Sequence, residues 1–241
     1  VFSDGASFYK TRFKSDVKFS EATFEGDARF GYSTFFAKAD FNSATFRKEA
    51  DFSHTTFSGT ADFSSVIFRE AADFEYGKFE KDARLWRCKF SGHANFRKTV
   101  FVQTASFWPT TFYSTASFYE ASFRWANFSA SEFKGEAVFS FCSFGFAEFI
   151  NTSFKSDADF SFSRSEGLAN FIRATFDAAI RFDMSAFDSE ARFRIATFNG
   201  KADFSYTVFK DIVSFSTEDG IGGFGTTARC DFRRARFETP S

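Results

Sequence analysis

Between Ala39 and Phe74 the chain reads ADF NSATF RKEADF SHTTF SGTADF SSVIF REAADF, with phenylalanine at 41, 46, 52, 57, 63, 68 and 74. The steps alternate between five and six residues, a period of 11. Two positions before each phenylalanine stands a small residue: Ala39, Ala44, Ala50, Thr55, Ala61, Val66 and Ala72. Side chains at i−2 and i that agree, with a different residue between them, mark an extended strand. Two or three mostly polar residues follow each phenylalanine, which predicts a turn after every short strand. A period of 11 also suits a right-handed coiled coil. That reading fails here because Leu, Gln and Met are scarce and no Leu or Ile seam exists.

The lattice runs from Phe2 through Phe8, Phe13 and Phe19 to Phe118, with Leu85 in place of one ring. It continues to Phe215 and returns at Phe232 and Phe237. Two defects test its geometry. One residue is missing between Phe123 and Phe128, and one again between Phe144 and Phe149. The gaps recur after four units, so in a four-sided coil both fall at the same corner of neighbouring coils and stack without shearing the ladder. Ser165 is the one polar centre, and Leu168 is expected to swing inward in its place.

The units ADF (39–41, 50–52, 61–63, 72–74, 158–160, 202–204) and ANF (94–96, 126–128, 169–171) resemble the pentapeptide-repeat family, whose unit is A(D/N)LXX with Phe often replacing Leu. The departure is a sixth residue in every second unit. The resemblance implies an all-β, right-handed quadrilateral β-helix with four units per coil. Here it would have about 11 coils of roughly 22 residues, two of them 21, in a rod on the order of 50 Å long. The expected organisation is a single domain over 1–241, interrupted by an irregular glycine-rich loop at 217–227. The start at Val1 and the lack of a capping helix read as a piece of something longer.

Composition agrees with a repeated core site: 45 of 241 residues are Phe, with 2 Pro, 1 Met and 2 His. A net charge of −1 favours neither a polyanion partner nor an acidic mimic. No apolar run is long enough to span a membrane, and the first residues have no signal-peptide character. Cys88, Cys142 and Cys230 each lie two residues before a core aromatic, in the slot for small buried residues, without metal-ligand spacing. Free buried thiols and no signal peptide lead to the expectation of a cytoplasmic protein.

Catalytic, cofactor and metal sites are all expected to be absent. Gly220-Ile221-Gly222-Gly223-Phe224-Gly225 matches a dinucleotide-binding fingerprint, but another repeat unit follows where a helix is required. His54 and His93 stand alone on outer positions. The Asp residues before the core rings (Asp40, Asp51, Asp62, Asp73) would line two opposite faces of a convex rod, which offers no desolvated cleft for paired carboxylates. Arg47, Arg69, Lys134 and Lys155 fall on one column, but Glu25, Glu70 and Asp177 stand on or beside it, which disfavours nucleic acid.

Stacking outward positions one coil apart assembles a candidate interaction surface. Trp125, Phe141, Phe146, Phe162, Met184 and Tyr206 gather over and beyond the two shortened coils, and Trp86 and Trp108 fall on another side. The expected function is a non-enzymatic structural or protein-interaction scaffold that binds an unidentified protein or a second copy. Two alternatives follow from the resemblance. One is a DNA mimic that binds type II topoisomerase, which needs an acidic rod that this charge balance does not give. The other is a soluble domain of a larger membrane-associated protein.

Overall fold

The computed structural model describes residues 1–216 and 229–238, and among these there are 38 short strands and no helix. Each strand pairs in parallel with the one a full coil away: Thr23–Phe24 with Thr45–Phe46, and Ala28–Arg29 with Ala50–Asp51. Four successive strands complete one coil, so the chain is a four-sided β-solenoid. The second face, beginning at Ala6–Ser7 and ending at Cys230–Asp231, is an 11-stranded sheet, so the coil is repeated at eleven levels. The first face, from Thr23–Phe24 onward, has nine strands. The third face starts at Arg12–Phe13 and the fourth at Val17–Lys18.

The two spacings correspond to two kinds of corner. Five-residue steps turn tightly, from the second face to the third and from the fourth to the first. The amide three residues after the ring donates to the carbonyl of that ring residue, as in Ser33 N to Phe30 O (3.1 Å) and Ala44 N to Phe41 O (3.0 Å). The residue before that donor then takes a left-handed backbone. Among the described residues nineteen other than glycine do so, including Tyr32 (φ 59°), His54 (55°) and Phe141 (59°). Such turns usually demand glycine, and each side chain held there costs about 1–2 kcal/mol.

Two side-chain devices hold those turns. Asp or Asn before the ring accepts the amide after it: Asp51 Oδ1 from Ser53 N (2.8 Å), Asp73 Oδ1 from Glu75 N (2.9 Å), Asp159 Oδ1 from Ser161 N (2.8 Å). This explains why Asp and Asn precede core rings only on the second and fourth faces, which lead into tight corners. In addition, a buried hydroxyl on the next strand reaches back one coil to the carbonyl that opens the turn there. Examples are Thr55 Oγ1 to Phe30 O (2.8 Å) and Thr99 Oγ1 to Phe74 O (2.8 Å). Pro109 breaks the scheme, because its ring fixes a negative φ. The amide of Thr110 donates instead to Ser131 Oγ (3.0 Å), which itself donates to Phe107 O (2.8 Å).

The sixth residue widens the other two corners. At the corner from the third face to the fourth, three strands run straight through: Val100–Ser106, Ser122–Asn127 and Ser143–Glu148. Both sequence deletions lie here. Phe123 pairs with Phe144, Trp125 with Phe146 and Ala126 with Ala147, a spacing of 21, so the two shortened corners stack in register. These through-strands join the third and fourth faces into an 18-stranded sheet. Ala202 pairs with Cys230, 28 residues on, so the extra residues of that coil fall between Ser216 and Arg229. The glycine-rich stretch at 217–227 thus lies outside the described residues.

Inside, rings repeat at the strand spacing. Phe24 and Phe46 have centroids 4.7 Å apart and planes 2° apart, and Phe30 and Phe52 4.8 Å and 2°. Columns from the second and fourth faces meet edge to face, as in Phe30–Phe41 (5.3 Å, 90°) and Phe41–Phe52 (5.3 Å, 88°). The positive ring edge thereby meets the negative face, an arrangement worth about 0.5–1.5 kcal/mol per pair beyond burial. Widened corners move the walls apart, which suits Phe better than the shorter Leu.

Leu168 does not replace the missing ring at Ser165. It stays half-buried, while Ser165 is buried and its hydroxyl donates to Gly167 O at 2.9 Å. The corner following Ser165 aims Leu168 away from the axis, and a void bordered by Phe144, Phe160, Phe182 and Phe187 remains. Phe160 and Phe182 lean 22° from parallel beside it. Ser165 sits in register between Phe144 and Phe187. Ser165→Phe is therefore expected to complete the column and stabilise the fold by about 1–3 kcal/mol, read as a raised thermal midpoint. A lowered midpoint would show that the surrounding rings cannot admit it.

Candidate interaction surface

The corner between the second and third faces carries one outward residue per coil at the left-handed position. Down the column these are Lys10, Tyr32, His54, Tyr76, Lys98, Glu120, Phe141, Phe162, Met184, Tyr206 and Arg234. Its first half is polar and internally matched. The His54 ring stacks between Tyr32 (4.3 Å) and Tyr76 (4.8 Å), and Lys98 Nζ lies 2.9 Å from Tyr76 Oη and 3.7 Å from Glu120. Its second half is apolar and open as far as Met184, and ends where the Arg234 guanidinium donates to Tyr206 Oη (3.0 Å) and lies 5.4 Å from that ring. Phe141 and Phe162 stack at 4.7 Å with planes 1° apart, and both remain more than two-fifths exposed, as do Met184 and Tyr206.

The shortened corner supplies the second part. Losing one residue leaves Arg124-Trp125 and Gly145-Phe146 where full corners have three. Trp125 and Phe146 are about half exposed and lie 5.8 Å apart at 41°. A Cβ on Gly167 would come within 2.9 Å of Phe146 Cε1, so that glycine lets the ring lie over the following coil. Val102, one coil before Trp125, is also exposed.

These two corners bound the third face, whose outward residues from the fifth coil on are Val100, Ser122, Ser143, Arg164, Ala186, Val208 and Arg236. Phe141 and Phe146 lie at opposite ends of one coil. Trp125 is one coil earlier, and Phe162, Met184 and Tyr206 are one, two and three coils later. The result is two apolar strips on the edges of this face, with exposed Ser143 and Arg164 between them; together they trace an oblique band, and six of the eight expected residues belong to it. Trp86 and Trp108 do not. They are exposed at the diagonally opposite corner, where the Arg84 guanidinium lies 5.7 Å from the Trp86 ring.

The other candidates occupy simpler roles. Cys88 and Cys142 are buried and donate to Phe63 O and Phe118 O (2.9 Å each), standing where Thr stands in other coils. Burial pushes both thiols upward, and Cys230, partly buried, to about 11. His54 and His93 are exposed, at opposite edges of the second face and two coils apart. Among the described residues no group of His, Cys, Asp or Glu is placed to hold a metal. Burial, with help from Asp51 and Glu75, raises the Asp73 carboxyl, against the hydrogen bond from the Glu75 amide; Asn95 Nδ2 also donates to it at 2.9 Å. The basic column is paired, Arg47 with Glu25 (3.1 Å) and Lys155 with Asp177 (2.8 Å). The glycine fingerprint at 220–225 lies outside the described residues.

Two outcomes follow. Phe141→Ser with Phe162→Ser should change stability by less than about 1 kcal/mol, whereas Phe139→Ala alone should cost about 3–5 kcal/mol in denaturant unfolding. Equal effects would mean that the outer rings are part of the core. Thiol alkylation of the folded chain should reach Cys230 and spare Cys88 and Cys142. Because folding raises these thiols, their contribution to stability is complete below the ordinary thiol pKa, about 8.5, and declines as pH rises above it.

A nine-copy model of pentapeptide repeats matches residues 1–45, 41–89 and 78–122. The match ends immediately before Phe123, where the first shortened corner begins. Comparison with curated proteins and with solved structures returned no match. With the four-sided coil, the A(D/N)F turn units and this match over half its length, the chain belongs to the pentapeptide-repeat family.

Proposed function

We propose that this repeat scaffold is non-enzymatic and that it docks a protein partner on the oblique band of the third face. The observation that supports this is the exposure of Trp125, Phe141, Phe146, Phe162, Met184 and Tyr206 along the two edges of one stiff β-face. Large exposed apolar patches mark interaction sites. Aromatic residues and Met are the types enriched at protein interfaces. The backbone beneath them is fixed by ladder hydrogen bonds above and below, so little ordering entropy opposes binding.

Charge placement favours this reading over duplex mimicry. Acidic and basic groups alternate between coils and neutralise one another, as in Lys48–Glu70 (2.9 Å), Arg164–Asp188 (2.6 Å) and Lys210–Asp188 (2.9 Å). A mimic of B-form DNA needs a long face of one sign. No helix among the described residues is long and apolar enough to cross a membrane.

The test places a photo-crosslinking amino acid at Phe162, or at Thr45 on the first face, in cells that express the chain. The expected outcome is a discrete adduct of defined mass from position 162 that disappears with Phe141→Ser, and none from position 45. Matching adducts from both positions, or none from 162, would overturn the assignment of the band.

A further inference from the structure

The shortened corner creates a cleft as well as a patch. Residues 102–104 form a full-width corner, and Arg124-Trp125 on the next coil form a corner one residue narrower. The register between these strands shifts at that point, between Phe101 and Thr104. The mismatch leaves a cleft of about 470 Å³ lined by Asp82, Gln103, Thr104, Arg124, Trp125 and Phe146. Its volume is within the range of small-ligand sites.

The lining defines what would fit. One Asp82 oxygen accepts the Thr104 amide at 3.3 Å. The other Asp82 oxygen, the Gln103 amide and the Arg124 guanidinium have no hydrogen-bond or ion-pair partner among the described residues. All three are flat, multidentate groups: a carboxylate that accepts, a guanidinium that donates and an amide that does both. They stand beside the half-exposed Trp125 indole, with Phe146 tilted against it. Asp82 and Arg124 cancel in charge. A phosphate would meet Asp82, and a lysine would meet Arg124. A purely apolar ring would leave both charges desolvated and unpaired. A ligand with vicinal hydroxyls along its rim and a C–H face of its own satisfies the polar groups and the indole together. We propose that this cleft binds one pyranose ring of an uncharged glycan, stacked on Trp125 and hydrogen-bonded through Asp82, Gln103 and Arg124. This site shares Trp125 and Phe146 with the docking band but adds a ligand class and polar partners that the band reading does not use, and it does not depend on a protein being docked there.

The experiment uses the whole chain with Trp86→Phe and Trp108→Phe, which leaves Trp125 as the only indole. Its fluorescence and its indole N–H resonance are followed while tetrasaccharides of glucose, galactose, mannose and N-acetylglucosamine are added, with phenol and inorganic phosphate as controls. The expected result is a saturable response to at least one neutral tetrasaccharide. Arg124→Ala and Gln103→Ala should each weaken it, Arg124→Ala by about tenfold. Phe141→Ser with Phe162→Ser should leave it unchanged, which separates glycan binding from protein docking at the Phe141–Phe162 part of the band. No saturable response to any of the four glycans, an equal response to phenol, or binding unaffected by Arg124→Ala would overturn the proposal.

Discussion

The parallel ladder sets every other feature of this molecule. Strands one coil apart are about 4.8 Å apart, so each residue lies directly over its counterpart in the next coil. A side chain that suits one level must suit its own image above and below. Phe meets this demand, because identical rings can stack indefinitely at that spacing and present their edges to the neighbouring column. The same demand applies to the turns. An Asp that holds one tight corner, and a Thr that reaches back to the carbonyl of the coil before, are needed again in every coil. The sequence period is the chemical image of this constraint.

The constraint also divides the chain's positions by role. Rings, the small residues before them and the Asp or Asn between them are committed to the fold. The first and second turn positions face solvent and can vary freely in chemistry, even at a left-handed backbone. That freedom explains how Tyr, His, Lys, Glu, Phe and Met occupy one column. It also leaves the outward columns and corners as the positions whose chemistry the fold does not fix.

Much of the architecture was legible because the ladder tolerates little ambiguity. Phenylalanine spacing placed the strands, and the paired deletions near 124 and 145 indicated four sides. Stacking positions by coil also grouped Phe141, Phe162, Met184 and Tyr206 correctly. Three things were not legible. Ser165 and Leu168 differ by a choice of local hydrogen bond and corner direction, which spacing does not encode. The role of Asp51 or Asp159 as a turn acceptor depends on a backbone geometry that the letters do not reveal. The oblique course of the band depends on which corner each column occupies, which stacking by coil alone does not fix.

The central claim is that the two shortened corners serve the surface and not the fold. The direct test inserts one residue between Arg124 and Trp125 and one between Gly145 and Phe146, which restores uniform 22-residue coils. Unfolding of this double-insertion chain should match or exceed the original in stability, with the β-solenoid spectrum intact, because the ladder then runs without a register shift. A loss of several kcal/mol would contradict the account and show that the short corners are required to build the coil itself.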